Sequence, residues 1–315
     1  ENEMFYQARL VRSALRTTKQ VRTVFNRQNE YQRFKPKNES ISPNRRPVLV
    51  ACAAITGGYG AYWYFKNQDV VEWTGRQRLM AVSRESELRM GEMAFEELKR
   101  QHASTILPHN HPWYRAVWKV CSELIEASGQ DHTPAFRWEL LIVNSRMANA
   151  ACLPGGKIVV YTGILPILPD ENSLAVVLAH EIGHALARHG AEKMSSFYLV
   201  MAVDVALQLI VGMNFAYLTR IVSELAFNLP FSRKLEIEAD EIGLALMTKA
   251  CYDPRAAPGV FQRLAKVAGG GPVEYLSTHP SPETRVDNFK EWMPKAVQVY
   301  EEKCYHKNSI RRFFF

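Results

Sequence analysis

The chain has five cysteines in 315 residues, and no two of them form a C-x-x-C pair. A cysteine-ligated metal site is therefore unsupported. Cys121 and Cys152 stand alone, and Cys52 falls in a hydrophobic run. Cys251 and Cys304 could pair only in an oxidising compartment, and free buried thiols are the plainer expectation. There is no G-x-x-x-x-G-K-[ST] sequence, so no ATP partner is expected. Outside its first 47 residues the chain also lacks any excess of charge. Lys and Arg number 39 against 32 acids. Residues 1–47 hold 11 basic and 4 acidic side chains, which is the whole excess of seven, and residues 48–315 balance at 28 against 28. A core without a basic footprint gives no ground for nucleic-acid binding.

What is present begins with that basic arm. Arg9, Arg12, Arg16 and Lys19 recur at helical spacing, a stripe suited to anionic lipid or to a transit peptide, with a solvated basic tail as the alternative. The chain starts at Glu1 without an initiator Met, which leads us to expect that upstream sequence has been removed. Val48 to Phe65 are 18 residues without a charge; as a helix they would extend about 27 Å. Arg45 and Arg46 flank one end, and Tyr62, Trp63, Tyr64 and Phe65 the other, the arrangement of an interfacial aromatic belt. One transmembrane helix is expected, with the positive arm and the following domain on opposite sides. Ala53, Gly57 and Ala61 form a row of small residues, a modest hint of a homo-oligomer.

Leu79, Met80, Leu88, Met93, Phe95 and Leu98 predict a helix over 76–102, with the methionines filling core. His109 and His111 fall in a turn and read as surface; Trp113 to Ala127 reads as an amphipathic helix. Phe136–Val143 and Lys157–Tyr161 read as strands, with Pro154-Gly155-Gly156 turning into the second. Lys157, Ile158, Val159, Val160 and Tyr161 are the expected partner for an extended substrate backbone. Phe197 to Tyr217 is apolar but contains Asp204 and Gln208 one turn apart. Polar groups at mid-span are costly, so a helix that covers the site or dips into the interface is expected rather than a second span.

The chemistry concentrates in Asp170 to Gly190. Asp170, Asn172 and Ser173 are candidate caps, and Gly190 a candidate stop. Within this helix His180-Glu181-Ile182-Gly183-His184 is an H-E-x-x-H sequence. Its two histidines lie one turn apart on one face and can bind one Zn²⁺, with Glu181 at the edge of that face to take a proton from a metal-bound water. The positions for a metzincin third histidine hold Ala187 and Gly190, so that class is excluded. His189 reads as a cation near the helix C-terminus. Downstream, Ser232 to Leu246 reads as a second helix on which Glu236 and Asp240 share a face. Glu236 can complete a His/His/Glu set, and Asp240 can accept a hydrogen bond from a ligand imidazole. Glu238, the competing ligand, is rotated about 200° from Glu236 and reads as solvated.

H-E-x-x-H followed by Ser232-Arg233-x-x-Glu236-x-x-Ala239-Asp240 resembles the M48 family of zinc metallopeptidases. Asn149 to Gly163 resembles that family's N-A-x-x-x-P-G-G-x-I-x-V-x-x-G strand, and Thr278-His279-Pro280-Ser281 its T-H-P-S loop. The resemblance runs over roughly residues 79–293, and the single N-terminal hydrophobic segment and the L-E-x-E-A-D form look most like its mitochondrial inner-membrane branch. It implies one Zn²⁺ per chain held by His180, His184 and Glu236, with Glu181 as general base. It also implies that His279 lies near the metal, as an assisting group or as a resting-state occupant of the open position. The expected fold class is α+β and mainly helical: a zincin-like domain with a small sheet beside the H-E-x-x-H helix, preceded by one transmembrane helix. The expected division is arm 1–47, membrane helix 48–66, linker 67–78 and peptidase domain 79–315, where Arg285 and Asp287 fix the final helix. The expected function is ATP-independent cleavage of protein substrates in or near the lipid bilayer, in inner-membrane quality control, including inner-membrane fusion GTPases, with the catalytic domain in the intermembrane space. The alternatives are a peptidase of another membrane and a scaffold or chaperone that holds zinc structurally; a structural site would need no base at Glu181.

Overall fold

The computed structural model of the protein describes residues 46–130, 136–211, 230–268, 275, 279 and 284–313. The basic stripe of the arm lies outside them. The chain divides into two compact units, Glu1–Ile55 and Thr56–Phe315. The expected membrane segment is helical: α1 covers Arg46–Lys66 and belongs partly to each unit. In the first unit Val50 and Ile55 are exposed, as are Tyr59, Tyr62 and Phe65 in the second. Among the described residues, no helix is long and apolar enough to cross a membrane; three glycines (Gly57, Gly58, Gly60) and the polar-tipped Tyr59, Tyr62, Trp63 and Tyr64 dilute the apolar character of α1 after Ile55.

The second unit opens with an antiparallel hairpin, β1 (Gln68–Val70) and β2 (Gln77–Leu79). The expected linker 67–78 is therefore folded structure, and the helix expected over 76–102 is shorter: α2 covers Arg84–Gln101, with Ser83 as its cap. Met93 on it is exposed and fills no core. Helix α3 is Pro112–Ser128, where the His111 side chain accepts from Trp113 N at 3.2 Å. Then come β3 (Glu139–Val143), β4 (Ala150–Leu153) and β5 (Lys157–Tyr161). They form one sheet in the order β3-β5-β4, with β3 parallel and β4 antiparallel to β5. A short 3₁₀ turn, Thr162–Ile167, leads to α4, Glu171–Leu186. Helices α5 (His189–Val211), α6 (Pro230–Lys249), α7 (Ala257–Ala268) and α8 (Thr284–Phe313) follow. The described residues are thus mainly helical with two small sheets.

Helix α4 is the centre of this unit. Its sequence is apolar around most of its circumference, the pattern of a helix enclosed by protein, and twelve of its sixteen residues are buried. α6 lies along it, and α3, α5, α7 and β4 pack around it. The Asp170 carboxylate accepts from Ser173 N at 2.7 Å and starts the helix, as the sequence predicts. The stop differs. Gly190 lies inside α5, and the break falls at Arg188, which adopts a left-handed φ of 55°. Its side chain reaches Glu87 at 2.6 Å, which fixes the bend where glycine is absent.

Cys251 and Cys304 form a disulfide with a Cα–Cα distance of 5.5 Å, against the expectation of free thiols; Cys121 and Cys152 are free. The bond ties the turn after α6 to α8 across 53 residues. Closing a loop of that length restricts the unfolded chain by roughly 4 kcal/mol in the chain-entropy account. Cys304→Ser should lower the urea midpoint accordingly, and a reducing agent should bring the wild type to the same midpoint.

Candidate metal centre

His180 and His184 project from one face of α4, with Nε2 atoms 3.1 Å apart. Glu236 reaches them from α6: Oε2 is 3.2 Å from His180 Nε2 and Oε1 is 3.5 Å from His184 Nε2. A carboxylate can come this close only because the two helix backbones nearly touch. A Cβ on Gly183 would stand 3.0 Å from Ala239 O, and one on Gly243 would stand 3.1 Å from His180 N. Each helix thus offers a glycine to the other's backbone. His279 completes the group, with Nδ1 3.3 Å from His180 Nε2 and 3.1 Å from Glu236 Oε2. Its Nε2 lies 3.4 Å from Glu181 Oε1, and its ring stacks on Tyr275.

These residues fit a metal ion. Four ligand atoms, one each from His180, His184, Glu236 and His279, lie within 4.8 Å of one another. Tetrahedral ligands at zinc–nitrogen and zinc–oxygen bond lengths are separated by about 3.3–3.4 Å, and the separations here run from 3.1 to 3.5 Å. Glu236 Oε1 and Glu181 Oε1 are buried without a hydrogen-bond partner, which is where a cation and a water would satisfy them.

The surrounding groups fix the charge states. Burial alone would raise the Glu236 carboxyl, but the His180, His184 and His279 rings set against it hold it far below the usual carboxylate range. Burial would lower His180, but its bonds to Asp240 and Glu236 raise it to about 9. His184 is pushed well below 6.5 by burial and by the neighbouring His180 and His189. The His180 ring is held from behind: Nδ1 is 2.9 Å from Asp240 Oδ1, as the spacing of Glu236 and Asp240 predicts. Arg285, which the sequence assigns only to the following helix, donates to both Asp240 oxygens at 2.6 Å and stacks on Phe261. Asp287 is exposed and pairs with Lys290.

Three expectations are corrected. His189 is no solvated helix-end cation: it is 1% exposed, and burial lowers its pKa. Glu238 points away from Glu236 as predicted but is 4% exposed, because the β1–β2 hairpin covers that side of α6. Thr74, Arg76 and His189 all bond its carboxylate, which holds it at about 2 although burial opposes this. Finally, Lys157, Ile158, Val159, Val160 and Tyr161 are all buried, and β5 is paired on both sides, so it has no edge to offer a substrate. Lys157 instead meets Glu92 and Glu139. The outer strands of the sheet are β3, bridged at Val143 by Ile106, and β4, which packs against the metal helix.

Residues 113–293 match the sequence profile of peptidase family M48. The chain belongs to this family. Its relatives include proteins named mitochondrial metalloendopeptidase OMA1. That of Schizosaccharomyces pombe is 37% identical over 275 residues, covering 85% of this chain and 80% of its own length. That of Saccharomyces cerevisiae is 32% identical, covering 90% of this chain and 88% of its own length. The Homo sapiens relative, named metalloendopeptidase OMA1, mitochondrial, is 32% identical over 84% of this chain and 53% of its own length. The M48 chain described here is accordingly a metalloendopeptidase, and the convergence on His180 and His184 lies inside the matched region.

Because Glu236 is held ionised, His184 is pushed below 6.5 and His180 is raised to about 9, metal must displace a proton from His180 at pH 7. Metal affinity, measured by chelator competition, should rise about tenfold per pH unit from pH 7 and level off above pH 9; a flat profile between pH 7 and 9 would contradict this charge assignment.

Proposed function

We propose that the protein is a zinc-dependent endopeptidase anchored at a membrane. The observation that supports this most is the meeting of His180, His184 and Glu236 beside the Glu181 carboxylate. His184 and, once its proton is displaced, His180 present imidazole nitrogens, and Glu236 a full negative charge, the donor set that suits zinc. Bound there, zinc would polarise a scissile carbonyl and acidify a water. Glu181, beside the site, would serve as the general base that takes a proton from the attacking water and returns it to the departing amine. Asp240, clamped by Arg285, keeps the His180 ring oriented with its Nε2 toward the metal. His279, in contact with both Glu236 and Glu181, stands where a fourth ligand would close the site in a resting state, and it must give way to a substrate carbonyl. An extended substrate backbone pairs with the outer edge of β4, Ala150–Leu153; main-chain pairing selects little by side chain.

The cellular setting belongs to the same reading. The mitochondrial relatives, the exposed apolar helix α1 and the basic arm support an inner-membrane enzyme with its peptidase domain, 79–315, in the intermembrane space. The Cys251–Cys304 disulfide suits an oxidising compartment. Its substrates in this reading are membrane proteins under quality control, among them inner-membrane fusion GTPases. Exposed Phe197, Tyr198, Met201, Val203 and Val205 on α5 suit a helix that meets lipid or a membrane-bound substrate.

Glu181→Gln should retain wild-type zinc content and lose about 10²–10⁴-fold in the rate of cleavage of an unfolded membrane substrate. Equal cleavage by the two proteins would remove Glu181 from the mechanism. Zinc retained by both, with cleavage by neither, would favour the zinc-holding scaffold.

A further inference from the structure

His184 and His189 are five residues apart, a separation that on one straight helix would rotate them about 140° from each other. They nevertheless touch: their Nδ1 atoms are 2.7 Å apart. The left-handed turn at Arg188 folds the start of α5 back onto the end of α4 and makes this contact. The far side of the His189 ring is also engaged, with Nε2 2.9 Å from Glu238 Oε2. Arg76, in the hairpin that follows α1 in sequence, donates to Glu238 at 2.7 and 2.9 Å and to Glu192 at 2.6 and 2.7 Å. His189, Glu192 and Glu238 resemble a second metal site by residue type, but two arginines already counter its two carboxylates: Arg76 bonds both, and Arg78 Nη1 lies 3.8 Å from Glu192 Oε2.

The hydrogen bonds have one consistent direction. An ionised Glu238 can only accept, so His189 Nε2 carries a proton. His184 Nε2 faces His180 and Glu236, so a metal held there would use the Nε2 lone pair. The ring proton of His184 then sits on Nδ1, and His189 Nδ1, 2.7 Å away, is the acceptor that receives it. We propose that His189 is a positioning residue for the metal: held by Glu238 and Arg76, it fixes the tautomer and ring orientation of His184, as Asp240 does for His180. The two ligand histidines thus have different supports, a carboxylate clamped by Arg285 for one and a second imidazole for the other.

This inference rests on the metal-centre reading above, and the test separates the two. Zinc affinity is measured by chelator competition on the full chain as wild type, His189→Leu and His189→Gln. Leucine should weaken zinc binding about 10–100-fold, the usual cost of losing a partner behind a metal ligand. Glutamine, whose carboxamide offers one acceptor and one donor, should recover most of the loss. Wild-type affinity in His189→Leu, or no recovery in His189→Gln, would overturn the proposal. A wild type that fails to bind zinc would instead sink the metal centre itself. An independent readout needs no His189 variant: the imidazole ¹³C and ¹⁵N shifts of His184 in metal-free wild type should report the Nδ1–H tautomer, and the Nε2–H tautomer would overturn the assignment.

Discussion

The site depends on how closely α4 and α6 approach. Glu236 follows His184 by more than fifty residues in the chain, and its carboxylate reaches the two imidazoles because Gly183 and Gly243 each remove a side chain from the seam. Packing elsewhere serves this seam. α4 is enclosed by α3, α5, α7 and β4, so it has little freedom to shift along its neighbour. Protein interiors resist small displacements because they are close-packed, and here a shift of one helix would alter every ligand separation at once.

Around the seam, charge is arranged as two clamps, one buried about Arg285 and one half-buried about Arg76. On one side Arg285 fixes Asp240, which fixes His180. On the other, Arg76 fixes Glu238, which fixes His189 and through it His184. Arg285 grips both oxygens of Asp240, while Arg76 sets two nitrogens on one oxygen of Glu238 and grips both oxygens of Glu192, a geometry that lysine would not reproduce. Buried charges of this kind contribute weakly to stability in general. Their use here is orientation: they hold the protons on the outer ring nitrogens and leave the inner nitrogens to the metal. The disulfide and α8, which carries Arg285, belong to the same scheme, since Cys304 tethers α8 to the turn after α6.

Much of the site was legible in the sequence because it lies on regular helices, where spacing fixes direction. His180 and His184 at i, i+4, and Glu236 and Asp240 at the same spacing, could be placed on faces before any coordinates were known, and Asp170 marked the helix start. The errors arose where tertiary contacts override local pattern. Nothing in the sequence near His189 announces the left-handed Arg188, since the bend is held by Glu87, about a hundred residues earlier in the chain. Glu238 looked solvated because helical periodicity gives the direction of a side chain but not what covers it, and the hairpin at 68–79 was hidden in a stretch read as linker and helix. β5 looked like a substrate strand because it precedes the metal helix; strand order cannot be read from sequence proximity, and β5 lies in the middle of its sheet. The cysteine pair was open in sequence because pairing depends on whether two Cα atoms meet within bridging distance.

The central claim is that two imidazoles and one carboxylate of this chain, with a further nitrogen or oxygen ligand, hold a single zinc ion. X-ray absorption at the zinc edge of the purified protein tests it most directly. The account predicts one zinc per chain, with nitrogen and oxygen neighbours only, at about 2.0–2.2 Å, and an imidazole scattering pattern from at least two histidines. A sulfur neighbour at about 2.3 Å, or a shell without histidine, would contradict it.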